Sequence, residues 1–160
     1  MARFKDEGFV AQAFAPHLNP GEQISNLAYG VKQPNIFLII LLFCLAILPG
    51  AIAVAILTKE YVVALTNQRF IVLQFSGGKI NVKEVLEYWP QNLVGKVKTS
   101  KGSIFTHIKI NDPDKPFVAK FHRMGMPNNK PQTEAMADAL QQAGGAPGGN
   151  QIPTAQVHQG

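Results

Sequence analysis

The chain has 160 residues, of which 46% are hydrophobic and only 16% are charged, and its formal net charge is +5 with a pI of about 9.4. This length fits one domain of ordinary size plus an anchor or tail, and the composition excludes a disordered chain, a collagen and a coiled coil. The single cysteine, Cys44, also excludes a disulfide scaffold, while the positive charge favours an acidic partner such as anionic lipid or nucleic acid.

Residues 1–34 are predicted to form a short amphipathic helix and an extended lead-in. Within residues 1–15 the apolar side chains fall on one helical face, namely Phe9, Val10, Ala13 and Phe14. Such a helix either lies on a membrane surface or packs on the folded domain, and both interpretations stay open. The segment Leu18-Asn-Pro-Gly-Glu22 has the chemistry of a turn, and Gln23–Gly30 is a candidate strand.

An uncharged stretch from Gln33 to Thr58 contains the apolar run Ile36–Leu57. As one helix this run would be about 33 Å long, enough to cross a bilayer core of about 30 Å. Lys32 and Lys59 flank it, where their side chains could reach lipid headgroups. We therefore predict a hydrophobic membrane segment over residues 35–58.

The pair Pro49-Gly50 interrupts this segment, because proline removes a helical hydrogen bond and disfavours helical dihedrals at the residue before it. We favour a crossing helix kinked at Pro49-Gly50. A hairpin is the second possibility, since Ile36–Leu48 alone would reach only about 20 Å, and a buried element of a soluble protein is the third. Cleavage of a signal peptide after Ala51-Ile-Ala53 fits less well, because the 35 residues before the apolar run carry no net charge.

Residues 59–143 are predicted to form a β-rich domain that ends in one helix. Segments rich in β-branched and aromatic residues recur at intervals of about ten residues, which is typical of an antiparallel sandwich or barrel. They are Glu60–Thr66, Arg69–Phe75, Ile80–Tyr88, Leu93–Thr99, Ile104–Ile110 and Phe117–His122. The helix Pro131–Ala143 has its apolar face at Ala135, Met136, Ala139 and Leu140. We expect residues 144–160 to be a disordered tail.

Two local motifs resemble bacterial pleckstrin-homology-like domain families. In Glu60-Tyr-Val-Val-Ala-Leu-Thr-Asn-Gln-Arg-Phe-Ile-Val-Leu73 a strand ends in Leu-Thr, a polar pair follows, and Arg69 opens the next strand. The segment Leu18–Glu22 is similar to the Pro-Gly-Glu that often precedes the membrane segment in these families. The resemblance implies a mainly β fold, a partly open antiparallel barrel or sandwich plugged by a C-terminal helix and preceded by a membrane-inserted helical segment.

The resemblance implies little about a ligand, and the apolar run departs from the family, whose members often carry a two-helix hairpin. From the residues themselves, the Thr66 hydroxyl and the Asn67 amide are expected to satisfy turn backbone groups, and Arg69 to snorkel towards solvent. We interpret this motif as a folding signature.

Lys96, Lys98 and Lys101 form the densest basic cluster and are the candidate binding site for lipid headgroups or other anions. Near an anionic leaflet each lysine could contribute about 1 kcal/mol. The alternative is a solvated strand face. Lys79 and Lys83 could extend the cluster.

No cofactor, metal site or catalytic activity is predicted. His107 and His122 lie on neighbouring predicted strands, but no spacing completes the four ligands of a structural zinc site. The chain has no nucleophile elbow, phosphate loop or metalloprotease motif. Nucleic acid is not expected as a partner, because the basic strands lack an evident series of exposed stacking side chains.

The sequence therefore predicts a non-catalytic, membrane-anchored binding or scaffold protein, with anionic lipid as its partner and the β-domain on the cytoplasmic side. The alternative is a structural subunit of a homo- or hetero-oligomeric membrane assembly. In that case protein partners or further copies would pack against strand edges and against the small residues Gly50, Ala51, Ala53 and Ala55.

Overall fold

The computed structural model describes residues 6–76 and 79–145, in which seven antiparallel strands form one sheet in the order β4-β3-β2-β1-β7-β6-β5. The strands are β1 Ile24–Lys32, β2 Lys59–Thr66, β3 Phe70–Ser76, β4 Lys79–Tyr88, β5 Val97–Lys101, β6 Phe105–Ile110 and β7 Phe117–His122. The helices are α1 Glu7–Phe14, α2 Ile36–Leu45, α3 Ile47–Leu57, α4 Pro90–Leu93 and α5 Asn129–Gly145, with a 3₁₀ turn at Ala15–His17. The predicted mainly β, antiparallel fold with a C-terminal helix is confirmed. The prediction that the tail begins at residue 144 is wrong, because α5 continues to Gly145; the rest of the predicted tail, from residue 146 on, lies outside the described residues.

Strands β2 and β3 are buried on both faces, which explains their nearly continuous apolar sequence. On β2, Tyr61, Val63 and Leu65 face a core that is shared with β5, β6, β7 and α5. The alternate residues Val62 and Ala64 face a second core on the other side of the sheet. The strand period of two thus divides one apolar run between two cores.

Helix α5 closes the first core with a stripe of side chains spaced for one helical face. Met136, Leu140 and Ala143 are buried there, and Ala137 joins them. Ala135, which was predicted to lie on this face, is exposed. The other three predicted positions, Met136, Ala139 and Leu140, are buried as predicted.

Helix α1 packs on the outer face of the sheet. Its side chains Val10 and Phe14 are buried in the second core. The carboxylate of Asp6 accepts hydrogen bonds from the backbone N–H groups of Gly8 and Phe9, which caps the helix. Of the two interpretations of this helix, packing on the domain is therefore the observed one.

Strand β1 lies in the middle of the sheet, between β2 and β7. It pairs with β2 along its length, from Ile24 opposite Thr66 to Lys32 opposite Lys59. The sheet therefore begins before the apolar segment, whereas the predicted domain started at residue 59 with residues 1–34 as a lead-in. The apolar segment does not precede the domain: it is an insertion between two paired strands.

The apolar segment forms a helical hairpin, not one kinked helix. Helices α2 and α3 are separated at Ala46, which has an extended backbone conformation. The predicted kink at Pro49-Gly50 is wrong, because Pro49 lies in the first turn of α3, where its missing N–H group needs no partner. Since Lys32 and Lys59 are paired, the chain leaves the sheet and returns to it at the same end of the β1–β2 pair.

Within residues 6–76 and 79–145, no helix has both the length and the apolar character needed to cross a bilayer.

Gly50 allows the two helices of the hairpin to meet backbone to backbone. It is the buried residue of α3, and a side-chain Cβ at this position would collide with the carbonyl oxygen of Leu42 in α2. A glycine is therefore required here by the close approach of the helices.

The two motifs of the sequence meet in a buried ion pair at the other end of the sheet. The Arg69 guanidinium donates from Nε and Nη2 to the two carboxylate oxygens of Glu22, each at 3.0 Å, and from Nη2 to the His17 carbonyl at 2.7 Å. Its Nη1 lies 2.7 Å from Glu87, and its guanidinium carbon is 5.1 Å from the centroid of the Trp89 ring. Arg69 is only 4% exposed, so the prediction that it snorkels to solvent is wrong.

The Thr66 hydroxyl organises the β2–β3 turn around this ion pair. It accepts hydrogen bonds from the backbone N–H groups of Gln68 and Arg69, as predicted, and donates to Glu22 at 2.7 Å. The Asn67 side chain instead accepts from the N–H of Gln23, outside the turn. Burial by itself raises the pKa of Glu22, but the hydrogen bonds from Arg69, the Asn19 N–H and Thr66 outweigh it and hold the pKa below its ordinary value.

We expect Gly50→Leu to separate α2 from α3, because the new side chain needs space that the Leu42 carbonyl occupies. The distance between spin labels on Cys44 and on an Ile52→Cys variant should increase relative to the same labelled pair with Gly50. Ala51→Leu is the matched control, since Ala51 is exposed, and it should leave the distance unchanged. An unchanged distance in Gly50→Leu would contradict this packing.

Glu22→Gln should cost about 3 kcal/mol of unfolding free energy at pH 7, because it leaves the buried Arg69 charge with only Glu87 as an ionic partner. The folded-state pKa of Glu22 is lowered, so the carboxylate stabilises the fold fully above the ordinary carboxyl pKa and loses this effect as pH falls through the folded value.

The difference between wild type and Glu22→Gln should therefore shrink on acidification from pH 7 towards pH 3, measured by urea unfolding. Glu87→Gln, which alters a partly exposed partner, should cost less. A difference that stays constant across this range would show that ionised Glu22 does not stabilise the fold.

Candidate functional site

The hairpin carries most of the exposed large apolar side chains found in the described residues. They are Ile36, Phe37, Leu38, Ile40, Leu41, Phe43, Leu45, Ile47, Leu48, Ile52, Ile56 and Leu57. Phe37 and Leu48 are 76% and 78% exposed, which is unusual for side chains of this size. Helices that are apolar on every side, with no charged residue, are typical of an apolar environment such as another protein or a lipid bilayer.

Polar side chains satisfy the backbone at the two ends of the hairpin that join the sheet. At the start of α2, the side-chain oxygen of Asn35 accepts a hydrogen bond from the backbone N–H of Phe37 at 3.0 Å. The Thr58 hydroxyl donates to the carbonyl of Val54 at 2.8 Å, at the end of α3. These contacts cap the hairpin at its junction with the sheet, whereas the start of α3 at the tip has no side-chain cap.

Positive charge gathers where the hairpin meets the sheet, a region that we call the neck and define by Lys32 and Lys59. Both side chains are exposed, and their Cα atoms are directly opposite each other in the β1–β2 pairing. A cleft of about 170 Å³ beside the neck is lined by Lys59, Lys83 and Gln74 together with apolar side chains of α3 and β3. The neck thus combines cations with an adjoining apolar surface.

The three lysines of the predicted anion site do not converge. Lys96 precedes β5 and forms an ion pair with Asp112 at 2.8 Å, and this hydrogen bond lowers the pKa of the Asp112 carboxyl. Lys101 pairs with Asp138 of α5. Within β5, Lys98 lies on the face opposite to that of Lys101, and it is paired in register with Lys109 of β6.

The outward-facing side chains of β5, β6 and β7 form a basic surface, which we call the outer basic face. Its residues are Lys98, Phe105, His107, Lys109, Lys120 and His122. The alternation within each strand was visible in the sequence, but the strand order that brings these residues together was not. Lys109 and Lys120 were therefore missed as candidates.

Two larger clefts flank this end of the sheet. One, of about 370 Å³, contains both partners of the Lys96–Asp112 ion pair, so its charges are largely compensated. The other, of about 440 Å³, runs along the junction of β1 and β7. It is lined mainly by apolar side chains, and Lys120 and His122 are its basic residues. In the described part of the chain, no three His, Cys, Asp or Glu side chains are grouped so that they could hold a metal ion.

Comparisons with known proteins give little beyond this geometry. No family model matches the chain, and no curated protein sequence matches it. Among solved structures the chain is similar to the hSac2 domain from human phosphoinositide phosphatase Sac2, with a TM-score of 0.48 and 10% sequence identity over 86% of this chain and 79% of that one. We draw neither a ligand nor an activity from this likeness.

Proposed function

We propose that this protein is a non-catalytic binding or scaffold protein that attaches to a membrane through the α2–α3 hairpin. The observation that carries the proposal is the hairpin itself: two uncharged helices with exposed apolar side chains, both joined to the same edge of a folded domain. In water this surface is costly, at about 1.5–3 kcal/mol for each large apolar side chain that could be buried.

The helix lengths favour insertion into one leaflet. Helices of 10 and 11 residues are about 15 and 16 Å long, which is about half of a hydrocarbon core of about 30 Å. The hairpin would enter one leaflet, turn near the bilayer centre at Ala46 and return. Both neck lysines would then lie at headgroup level on the same side, where they can contact anionic lipid.

The domain outside the hairpin supports a pleckstrin-homology-like architecture. The two halves of the sheet share one core, and the C-terminal helix α5 closes it. A single register pair, Val31 with Lys120, joins the halves between β1 and β7, so the sheet can bend sharply there into a partly open barrel. The basic neck supports a cytoplasmic placement of the domain, since cationic segments tend to stay on that side of a membrane.

The competing proposal is a structural subunit that packs through the hairpin and the sheet edges β4 and β5. Small residues of α3 were expected to allow close contact with other helices. Gly50, the smallest of these residues, already contacts Leu42 inside the hairpin. It is therefore not available to a helix of a partner. A monodisperse monomer in detergent would argue against the subunit, and a stable oligomer would favour it.

Leu48→Asp should weaken vesicle binding about 100-fold, because it places a carboxylate near the bilayer centre at a cost of about 3 kcal/mol. Flotation of the full-length protein with liposomes measures the bound fraction. Val94→Asp is the matched control: Val94 is also an exposed apolar residue, 46% exposed, but it lies outside the hairpin. Equal binding by wild type and Leu48→Asp would exclude the hairpin as the attachment site.

Lys32→Gln with Lys59→Gln should reduce binding to vesicles that contain phosphatidylserine by about 20-fold or more, because each neck lysine contributes about 1 kcal/mol there. The double variant should bind uncharged phosphatidylcholine vesicles as well as the wild type does. On these vesicles, raised salt should affect the two proteins equally. Lys101→Gln serves as the control, since its ammonium group is paired with Asp138. A loss of the same size on both lipids would contradict an electrostatic role of the neck.

A further inference from the structure

The cleft of about 440 Å³ along the β1–β7 junction has the composition of a small-molecule site. Its size falls within the usual range for ligand pockets, about 300–1,000 Å³, and such pockets combine apolar walls with a few polar groups. Its walls are formed by Tyr29, Gly30, Val31, Gln33, Phe105, Met124 and Gly125, with Lys120 and His122 as the basic side chains that can donate to a ligand. It is separate from the hairpin surface.

The cleft exists because β1 and β7 diverge after a single register pair, Val31 with Lys120. Gly30 allows the ring of Phe121 to lie directly against β1, since a Cβ at Gly30 would be only 2.7 Å from that ring. Phe105 and Met124 are 40% and 69% exposed at the cleft. Exposed aromatic and thioether side chains of this kind adapt to a flexible apolar ligand.

The polar groups of the cleft favour an anion. Lys120 is exposed and has no carboxylate partner among the residues described. His122 accepts a hydrogen bond at Nδ1 from the Met124 N–H, at 3.1 Å, so the neutral ring carries its proton on Nε2 and can donate it. In the strand register, the carboxylate nearest to Lys120 is that of Glu60. It accepts a hydrogen bond from the Tyr29 hydroxyl and does not line the cleft.

The surrounding outer basic face adds to this positive potential. Lys98 and Lys109 lie directly opposite each other, an arrangement that costs stability in a sheet. His107, opposite Lys120, has its pKa lowered by burial and by that lysine, and remains a neutral neighbour. The outward positions of β5, β6 and β7 carry no acidic residue, so these three strands present no repulsive charge to an approaching anion.

From these observations we infer that the cleft binds a single-chain anionic amphiphile, with its alkyl chain along the apolar walls and its anionic head at Lys120 and His122. The position of the cleft fits this ligand, because Gln33 lines it and lies three residues before α2 begins. The cleft therefore opens beside the base of the hairpin, where such a ligand could arrive from a membrane. A fatty carboxylate and an alkyl phosphate share the required chemistry.

The test uses the full-length protein and monomeric ten-carbon probes: decanoate, decyl phosphate, decanol and decyltrimethylammonium, with binding measured by calorimetry. Both anions, or one of them, should bind with defined stoichiometry, and preference between them distinguishes a fatty acid from a single-chain phosphate lipid as the source. Equal binding of decanol or of the cation would overturn the inference, as would no binding of either anion.

Substitutions then locate the site. Lys120→Gln and His122→Gln should each weaken anion binding about tenfold through loss of a charged hydrogen bond. Lys109→Gln, on the same face but outside the cleft, should have less than a twofold effect. If Lys109→Gln weakens binding as much as Lys120→Gln, the anion is held by diffuse surface charge and the inference fails.

Two further variants separate this site from the hairpin. Val31→Trp should fill the cleft and abolish anion binding, whereas Val118→Trp, on the outer side of β7, should not; equal unfolding midpoints check that both fold. Leu48→Asp should lose vesicle binding and keep anion binding. If Leu48→Asp loses both, the probes bind the hairpin and the inference is overturned, whereas anion binding without flotation of the wild type would contradict only the proposed membrane attachment.

Discussion

The antiparallel pairing of β1 with β2 determines what the apolar segment can be. Lys32 and Lys59 are opposite each other in that pairing, so the 26 residues between them must leave and return at one point. No single crossing satisfies this constraint, whatever the hydrophobicity of the run. Each helix is limited to about half of the segment, and the Gly50–Leu42 contact brings the two halves together.

The far end of the same two strands is fixed by the Glu22–Arg69 ion pair. Its bidentate geometry ties the chain before β1 to the start of β3 through groups that are almost fully buried. Breaking such a pair is costly, so the register of β1 against β2 is defined at both ends.

The local parts of the fold were predictable from the sequence, and their arrangement was not. Alternation identified β6 and β7 within a residue, because one face of each strand is buried. The place of β1 was missed, since an insertion within a β-hairpin looks like a boundary between domains. The ion pair of Glu22 with Arg69 joins residues 47 positions apart, and the cleft at Lys120 depends on strand order; neither leaves a local pattern.

Cys44 offers the most direct test of membrane insertion, because it is the single cysteine of the chain, is exposed and lies next to the tip of the hairpin. A fluorophore on Cys44 can be quenched by phospholipids that carry bromine at different depths. Strongest quenching by bromine near the ends of the acyl chains, with no access for aqueous iodide, would place the tip near the bilayer centre, as the hairpin geometry requires. Unchanged quenching by iodide in the presence of vesicles would contradict insertion.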